Sequence, residues 1–437
     1  MNLRPLLLLL LLLCGWPTGS CAGEADPFIQ MLNLALDHNP EIKTAQANLM
    51  AAQERLPQSR AVLLPNVALG VTPNNNHSDW PGGGVSERSL VAGVTLSQMV
   101  YNRPALIAFA QTTPWIGAFA DDLDGTVQGV FFKAAKATVD LLQAREIAHL
   151  AENNQQVMQH HLTDTQSRYE VGEITRTNVS QAEARLAAAR ADKMRADNDV
   201  AVAQAQFFEV VGALPPATLA LPKFRQPPGE GALETWLAQQ EQRPDLRAIH
   251  KRLGIAESTI EQERAGHWPT VALTSSASHI WQKGGAPLVA TSSGEVDSYT
   301  LGMKMELPLF AGGMTLSKTA EAQAKRDAQW AEQDRLYRQV HREIEKAYLD
   351  LQSSQALATA LNSTVAASKL ARDGVEQEFH VGARTALDLL DAEHELFANQ
   401  ADLAKNRYGL ALAQFQMLAV VGRLTLEELV LAGPSGP

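Results

Sequence analysis

The residues best suited to chemistry lie near the C-terminal end of the chain: Asp388, Asp391 and His394, each three positions from the last. Helical i, i+3 neighbours share a face, so Asp388 and Asp391 would project together and could attract a cation. Adding His394 spoils the site, because i, i+3, i+6 spacing does not put all three groups on one narrow face. No metal site is therefore expected. The other roles open to these residues are an N-cap acid at Asp388 and a solvated Asp391. His160 and His161 are a second pair with metal-binding chemistry, but adjacent helical residues point about 100° apart and are expected in solvent. The chain contains no P-loop, no His-Glu-x-x-His and no nucleophile elbow, so neither an enzyme nor a cofactor is expected.

The aspartates sit in a stretch that occurs twice. Arg168-Tyr-Glu-Val-Gly-Glu-Ile-Thr-Arg-Thr-Asn-Val-Ser-Gln-Ala-Glu183 returns 210 residues later as Glu378-Phe-His-Val-Gly-Ala-Arg-Thr-Ala-Leu-Asp-Leu-Leu-Asp-Ala-Glu393. Val171, Gly172 and Thr175 recur as Val381, Gly382 and Thr385. A glycine followed by Thr and then Asn or Asp is a helix end followed by a helix start. The pattern predicts helices ending at Gly172 and Gly382 and restarting around Asn178 and Asp388. These are the tips of two long helical hairpins.

The rest of the chain is duplicated too. Asn39-Pro40-Glu41 matches Arg243-Pro244-Asp245, Leu64-Pro65-Asn66-Val67 matches Trp268-Pro269-Thr270-Val271, and Val210-Val211-Gly212 matches Val420-Val421-Gly422. The first repeat spans residues 23–212 and the second 231–422, joined by a Pro-rich linker at 213–230 and followed by a tail at 423–437. Each repeat reads as helix, strand, loop, strand and long helical hairpin. Period-2 alternation marks strands at about 65–73, 89–100, 269–279 and 298–309, with polar loops at 73–88 and 280–297. Ala182, Ala189, Ala196 and Ala203, seven apart, mark a close helix–helix seam.

Residues 1–22 have the form of a secretory signal: Arg4, then an apolar run from Leu6 to Leu13, then Ser20-Cys21-Ala22 with cleavage after Ala22. Both cysteines, Cys14 and Cys21, fall inside it, and a cut before Cys21 with lipidation is the alternative. The formal charge of −11 argues against nucleic acid. No later apolar run approaches the length of a membrane helix. The strands, apolar on one face and polar on the other, have the length and pattern of membrane-barrel strands. Four strands are too few to close a barrel, so the chain must oligomerise to remove its sheet edges.

With these motifs in this order, twice over, residues 27–425 resemble the TolC-type outer-membrane efflux protein family. The resemblance implies a mainly α protein with a membrane β-barrel part: a homotrimer whose twelve strands form one barrel, continuous with an α-helical barrel. It implies a passive conduit through outer-membrane lipid into the periplasm, loaded through a periplasmic adaptor (membrane fusion protein). The inner-membrane pump would be of the resistance-nodulation-division (RND), ATP-binding-cassette (ABC) or major-facilitator (MFS) type. Such conduits serve tripartite efflux or type I secretion systems. The resemblance places Asp388 and Asp391 as carboxylate rings at the periplasmic entrance. It places Arg384, Thr177, Asn178 and Phe379 in a polar lock that holds the entrance shut; Asn178 stands where the best-known member has Asp, and Phe379 where it has Tyr. Val171, Gly172, Thr175, Val381, Gly382 and Thr385 form the tips that would meet the adaptor. A periplasmic or secreted coiled-coil structural or adaptor protein is the alternative; it explains the helices but not four strands at repeat-matched positions.

Overall fold

The computed structural model describes residues 27–81, 83–222, 231–283 and 293–426. The expected signal peptide, residues 223–230 of the Pro-rich linker, part of the second strand loop and most of the C-terminal tail lie outside the described residues.

The first repeat opens with three short helices, α1 (Pro27–His38), α2 (Pro40–Gln53) and α3 (Arg55–Ala61). Strands β1 (Asn66–Trp80) and β2 (Gly83–Tyr101) follow, then α4 (Arg103–Ala110) and the long hairpin α5 (Thr112–Glu170) and α6 (Arg176–Val211). The second repeat has α7 (Leu233–Leu237), α8 (Pro244–Arg264), β3 (Thr270–Lys283), β4 (Ser293–Glu306) and the hairpin α9 (Met314–His380) and α10 (Ala386–Val420). At 1.5 Å per residue, the 59 residues of α5 and the 67 of α9 reach about 90 and 100 Å. None of the described helices is long and apolar enough to cross a membrane.

The duplicated motifs meet in space. Pro40 and Pro244 each occupy the first turn of a helix, where a missing N–H costs nothing. The residue before each proline reaches the end of the same repeat's hairpin. The Asn39 side-chain amide donates to the Val210 carbonyl (3.1 Å), and Arg243 donates to the Val420 carbonyl (3.1 Å). Arg243 also binds Asp245 (2.7 Å) and Glu343 (2.9 Å). Burial alone would lower its pKa; the hydrogen bonds and charges of Asp245 and Glu343 outweigh this and hold it above the usual arginine value. Each such contact caps a helix end whose carbonyls have no intrahelical partner.

Around this junction lie the main cores. Phe28, Phe131, Phe207 and Phe415 are fully buried between α1, α5, α6 and α10, with the Phe28 and Phe415 rings stacked 5.7 Å apart. Trp236, Ile249, Val340, Ile344 and Met417 pack the corresponding place in the second repeat. Fully burying such a side chain stabilises by about 1.5–3 kcal/mol. Further along the hairpins the Ala182, Ala189, Ala196 and Ala203 stripe is buried, and its small side chains let α5 and α6 approach closely.

The strands refine the sequence reading in their connection and correct it in their length. The two strand pairs, which the alternation alone leaves unconnected, form one antiparallel sheet in the order β1-β2-β3-β4, because β2 and β3 pair from Arg88–Lys283 down to Tyr101–Val271. The strands also extend further from the helices than the alternation suggested. The ladder between β1 and β2 continues unbroken from Asn66–Ser97 to Trp80–Gly83, through residues expected in a loop. Likewise β3 continues to Lys283 and β4 begins at Ser293, although β4 stops at Glu306, short of the expected end. Alternation reports which residues face an apolar medium. Backbone hydrogen bonds continue beyond that medium, where polar side chains suffice.

One face of the sheet is apolar and exposed. Leu69 (76 %), Tyr299 (81 %), Leu301 (77 %) and Met303 (68 %) lie open, beside Val67, Val71 and Val94. The other face presents Thr95, Ser97, Thr274, Ser276, Ser278, Thr300 and the Lys304–Glu306 ion pair. Contiguous apolar surface of this extent marks an interaction with something other than water. Among the described residues, strands β1 and β4 have no partner on their outer sides.

Candidate functional site at the hairpin tips

Both tips are built alike. At the first, the Gly172 and Glu173 N–H groups donate back to the carbonyls of Tyr169 and Arg168 (both 3.0 Å); at the second, Gly382 and Ala383 donate to Phe379 (3.0 Å) and Glu378 (2.8 Å). This pair of bonds requires a left-handed residue, and Gly172 and Gly382 supply it with φ of 78° and 77°. The new helices then start at Arg176 and Ala386, with Thr175 and Thr385 at the N-cap positions, where only the Thr385 side chain accepts a capping hydrogen bond. The caps therefore fall three residues earlier than expected, and Asn178 and Asp388 are third-position residues rather than caps. In the second tip the arrangement is a full capping box. The Asp388 carboxylate accepts from the Thr385 backbone N–H (3.0 Å) and hydroxyl (2.8 Å), while the Asp388 N–H donates to the Thr385 hydroxyl oxygen (3.2 Å). These bonds hold the Asp388 pKa below the ordinary aspartate value. In the first tip Thr175 donates to the Asn178 side-chain oxygen (3.1 Å).

Asp391, on the same face one turn on, is not a free carboxylate: it forms an ion pair with Arg185 of α6. Leu390 and Leu186, next to them in sequence, are both buried in a cluster with Met158, Leu162, Ala182 and Ala189. The second hairpin thus docks on the first through an apolar contact, and the Arg185–Asp391 pair closes over its edge.

Three comparisons bear on what this arrangement is. The family model described as outer membrane efflux protein matches residues 31–213 and 238–423, the two repeats. The chain belongs to the outer membrane efflux protein family. Among curated relatives, the outer membrane efflux protein BepC of Brucella suis is 26 % identical over 429 residues, covering 96 % of this chain and 90 % of its own. The outer membrane protein TolC of Vibrio cholerae is 26 % identical over 416 residues, covering 94 % of each. Among solved structures, the CmeC outer membrane channel of Campylobacter jejuni superposes with a TM-score of 0.79 at 15 % identity, covering 91 % of this chain and 86 % of that one; this is a likeness of fold. As a member of the efflux protein family the chain is an outer-membrane protein reaching into the periplasm, so the sheet belongs to the membrane and the tips point away from it.

The lock residues are not brought together within the chain as the family pattern suggests. Arg384 donates to Glu378 (2.9 Å) across its own turn, not to Thr177 or Asn178. The Glu378 hydrogen bond and charge, with a smaller contribution from Asp388, hold the Arg384 pKa above its usual value. Phe379 is instead covered by Arg168 of the first tip, whose guanidinium carbon lies 4.6 Å from the ring centroid. His161 is also not simply solvated: its Nε2 lies 3.8 Å from Glu393, which also faces Arg372 at 3.6 Å. Near the tips, the polar and cation–π links between the two hairpins among the described residues are Arg168–Phe379, His161–Glu393 and Arg185–Asp391, beside the apolar Leu186–Leu390 contact. Sequence reasoning missed Arg185, Glu378 and Arg372 because nothing local marks them. The Thr-x-x-Asp run at 385–388 was legible as a capping box.

Proposed function

We propose that three copies of this chain close a twelve-stranded barrel and a continuous helical barrel, and that the tips form the periplasmic entrance of a passive conduit in a tripartite efflux or type I secretion system. The sheet carries this reading. Its apolar face fits lipid, its polar face fits a water-filled lumen, and its free edges at β1 and β4 must be paired by further copies, because an open sheet edge is not tolerated in hydrocarbon. A coiled-coil structural protein has no use for such a sheet.

In this assembly Asp388 and Asp391 repeat three times around the axis. The Arg185 pairing removes most of the field of Asp391, so Asp388 supplies the larger part of the ring's negative charge. Arg168–Phe379 and Arg185–Asp391 act as the lock between hairpins, with Arg384 stiffening its own tip through Glu378. The tips, with Val171 and Val381 exposed, are the surfaces offered to a periplasmic adaptor that couples the conduit to an inner-membrane pump. Native mass spectrometry of the detergent-solubilised protein tests the assembly: a trimer is expected, and a stable monomer would overturn it.

A further inference from the structure

On β1 and β2 the lipid-facing side of the sheet changes from apolar to polar residues at one row, while β3 and β4 already carry His279, Asp297 and Glu295 on that face. The strand registers align Pro73, Leu90 and Trp281 across β1, β2 and β3, at the end of the apolar band away from the helices, with Glu295 of β4 closing the row. The next residues on that face are Asn75, Arg88 and Lys283, again directly opposite one another. Arg88 and Lys283 are exposed, and among the described residues neither has an ion-pair or hydrogen-bond partner. Their charged neighbours have partners of their own. Glu87 accepts from Gln282 (2.7 Å) on the lumen face, and His279 engages Asp297 (2.7 Å) and Glu295 (3.7 Å). Two cations without a partner among the described residues thus stand side by side in a chain whose formal charge is −11. Like charges directly opposite on neighbouring strands destabilise a sheet unless an anion lies between them. A groove of about 420 Å³ runs along these residues, with Arg88 and Lys283 at one end and Leu90 and Trp281 at the other. Trp281 is 41 % exposed, and an exposed indole at the end of an apolar band marks the headgroup level of a bilayer.

We propose that Arg88 and Lys283 bind the phosphorylated headgroup of an outer-leaflet lipid, with Pro73, Leu90 and Trp281 receiving the start of its acyl chains. The guanidinium grips phosphate oxygens in two parallel hydrogen bonds, and the ammonium adds a point charge from the adjoining strand. The alkyl stems of both residues lie along the apolar row while their heads reach the headgroup layer. The groove joins apolar and cationic ends, which suits an amphiphile rather than free phosphate. This inference rests on the apolar face being the lipid face.

The test uses the full-length oligomer in phosphatidylcholine nanodiscs doped with diphosphorylated lipid A or its dephosphorylated form, with retained lipid counted by native mass spectrometry. The parent is expected to prefer the phosphorylated form by about tenfold or more, the size expected of two cations near an anionic lipid surface. Arg88→Gln with Lys283→Gln should abolish the preference, and Arg88→Lys with Lys283→Arg, which keeps both charges, should retain much of it. Inorganic phosphate at millimolar concentration should leave the preference intact; its loss would show generic anion attraction and overturn the headgroup assignment. A parent that inserts but shows no preference, or a double Gln variant that keeps it, overturns the site. Failure of the parent to float with neutral phosphatidylcholine vesicles would instead overturn the membrane reading on which the site rests.

Discussion

Gly212 and Gly422 are equivalent by sequence, each closing a Val-Val-Gly run, and they have nearly the same backbone, with φ of 76° and 75°. Their surroundings differ. A Cβ added at Gly212 would meet nothing within 4 Å, whereas one at Gly422 would lie 3.1 Å from the Arg243 Cα and 3.4 Å from the Arg243 Cγ and the Pro244 Cδ. Alanine in the left-handed region costs about 1–2 kcal/mol at either position. At Gly422 the nearest neighbour is backbone of a packed helix start, so an overpacking cost of about 1–3 kcal/mol is added. Any shift of Arg243 also loosens its bonds to Glu343, Asp245 and the Val420 carbonyl. Gly422→Ala should therefore destabilise by about 2–5 kcal/mol per chain and Gly212→Ala by about 1–2 kcal/mol. Urea-induced loss of helical circular dichroism in detergent, compared with the parent, measures both. Equal losses would refute the packing argument and leave only the backbone term, while a milder loss at Gly422 would refute the placement of α8 against the end of α10.

The remaining predictions concern the tips. Arg185→Gln should uncover Asp391 in each protomer and raise cation selectivity, whereas Asp391→Asn should leave Arg185 unpaired and lower it; reversal potentials in planar bilayers under a salt gradient check both, and no change in either would remove Asp391 from the pore. Arg168→Ala should remove the contact over Phe379, worth about 0.5–1 kcal/mol at an exposed site, and raise the open probability of single channels; an unchanged gating record would count against the lock. Because the Asp388 pKa is depressed in the folded chain, its capping contribution is fully present above the unfolded value and is lost as pH falls through the folded one. Proteolysis at the second tip should accordingly rise only in that acid window, and Asp388→Asn should flatten the dependence. Gly172→Val should spoil the left-handed turn and cut transport while oligomers remain in the membrane; full transport would argue against the tips as the adaptor surface.

The duplication, the helical hairpins and the presence of four membrane-type strands were readable from the chain alone, because each is a local or periodic signal. Gly172 and Gly382 announce their turns through a backbone conformation that other residues resist, and the alanine stripe announces close helix packing through its spacing. Tertiary structure decided everything that depends on which residues meet across long separations. That includes the pairing of β2 with β3, which turns two hairpins into one sheet, and the length of the strands beyond the apolar band. It includes the capture of Asp391 by Arg185, 206 positions away, and of Arg384 by its own tip. An exposed arginine has many acids within reach of its long side chain, and sequence carries no record of which one the packing of Leu186 against Leu390 brings close. For the same reason sequence makes Gly212 and Gly422 alike, and only the approach of Arg243 to one of them sets them apart.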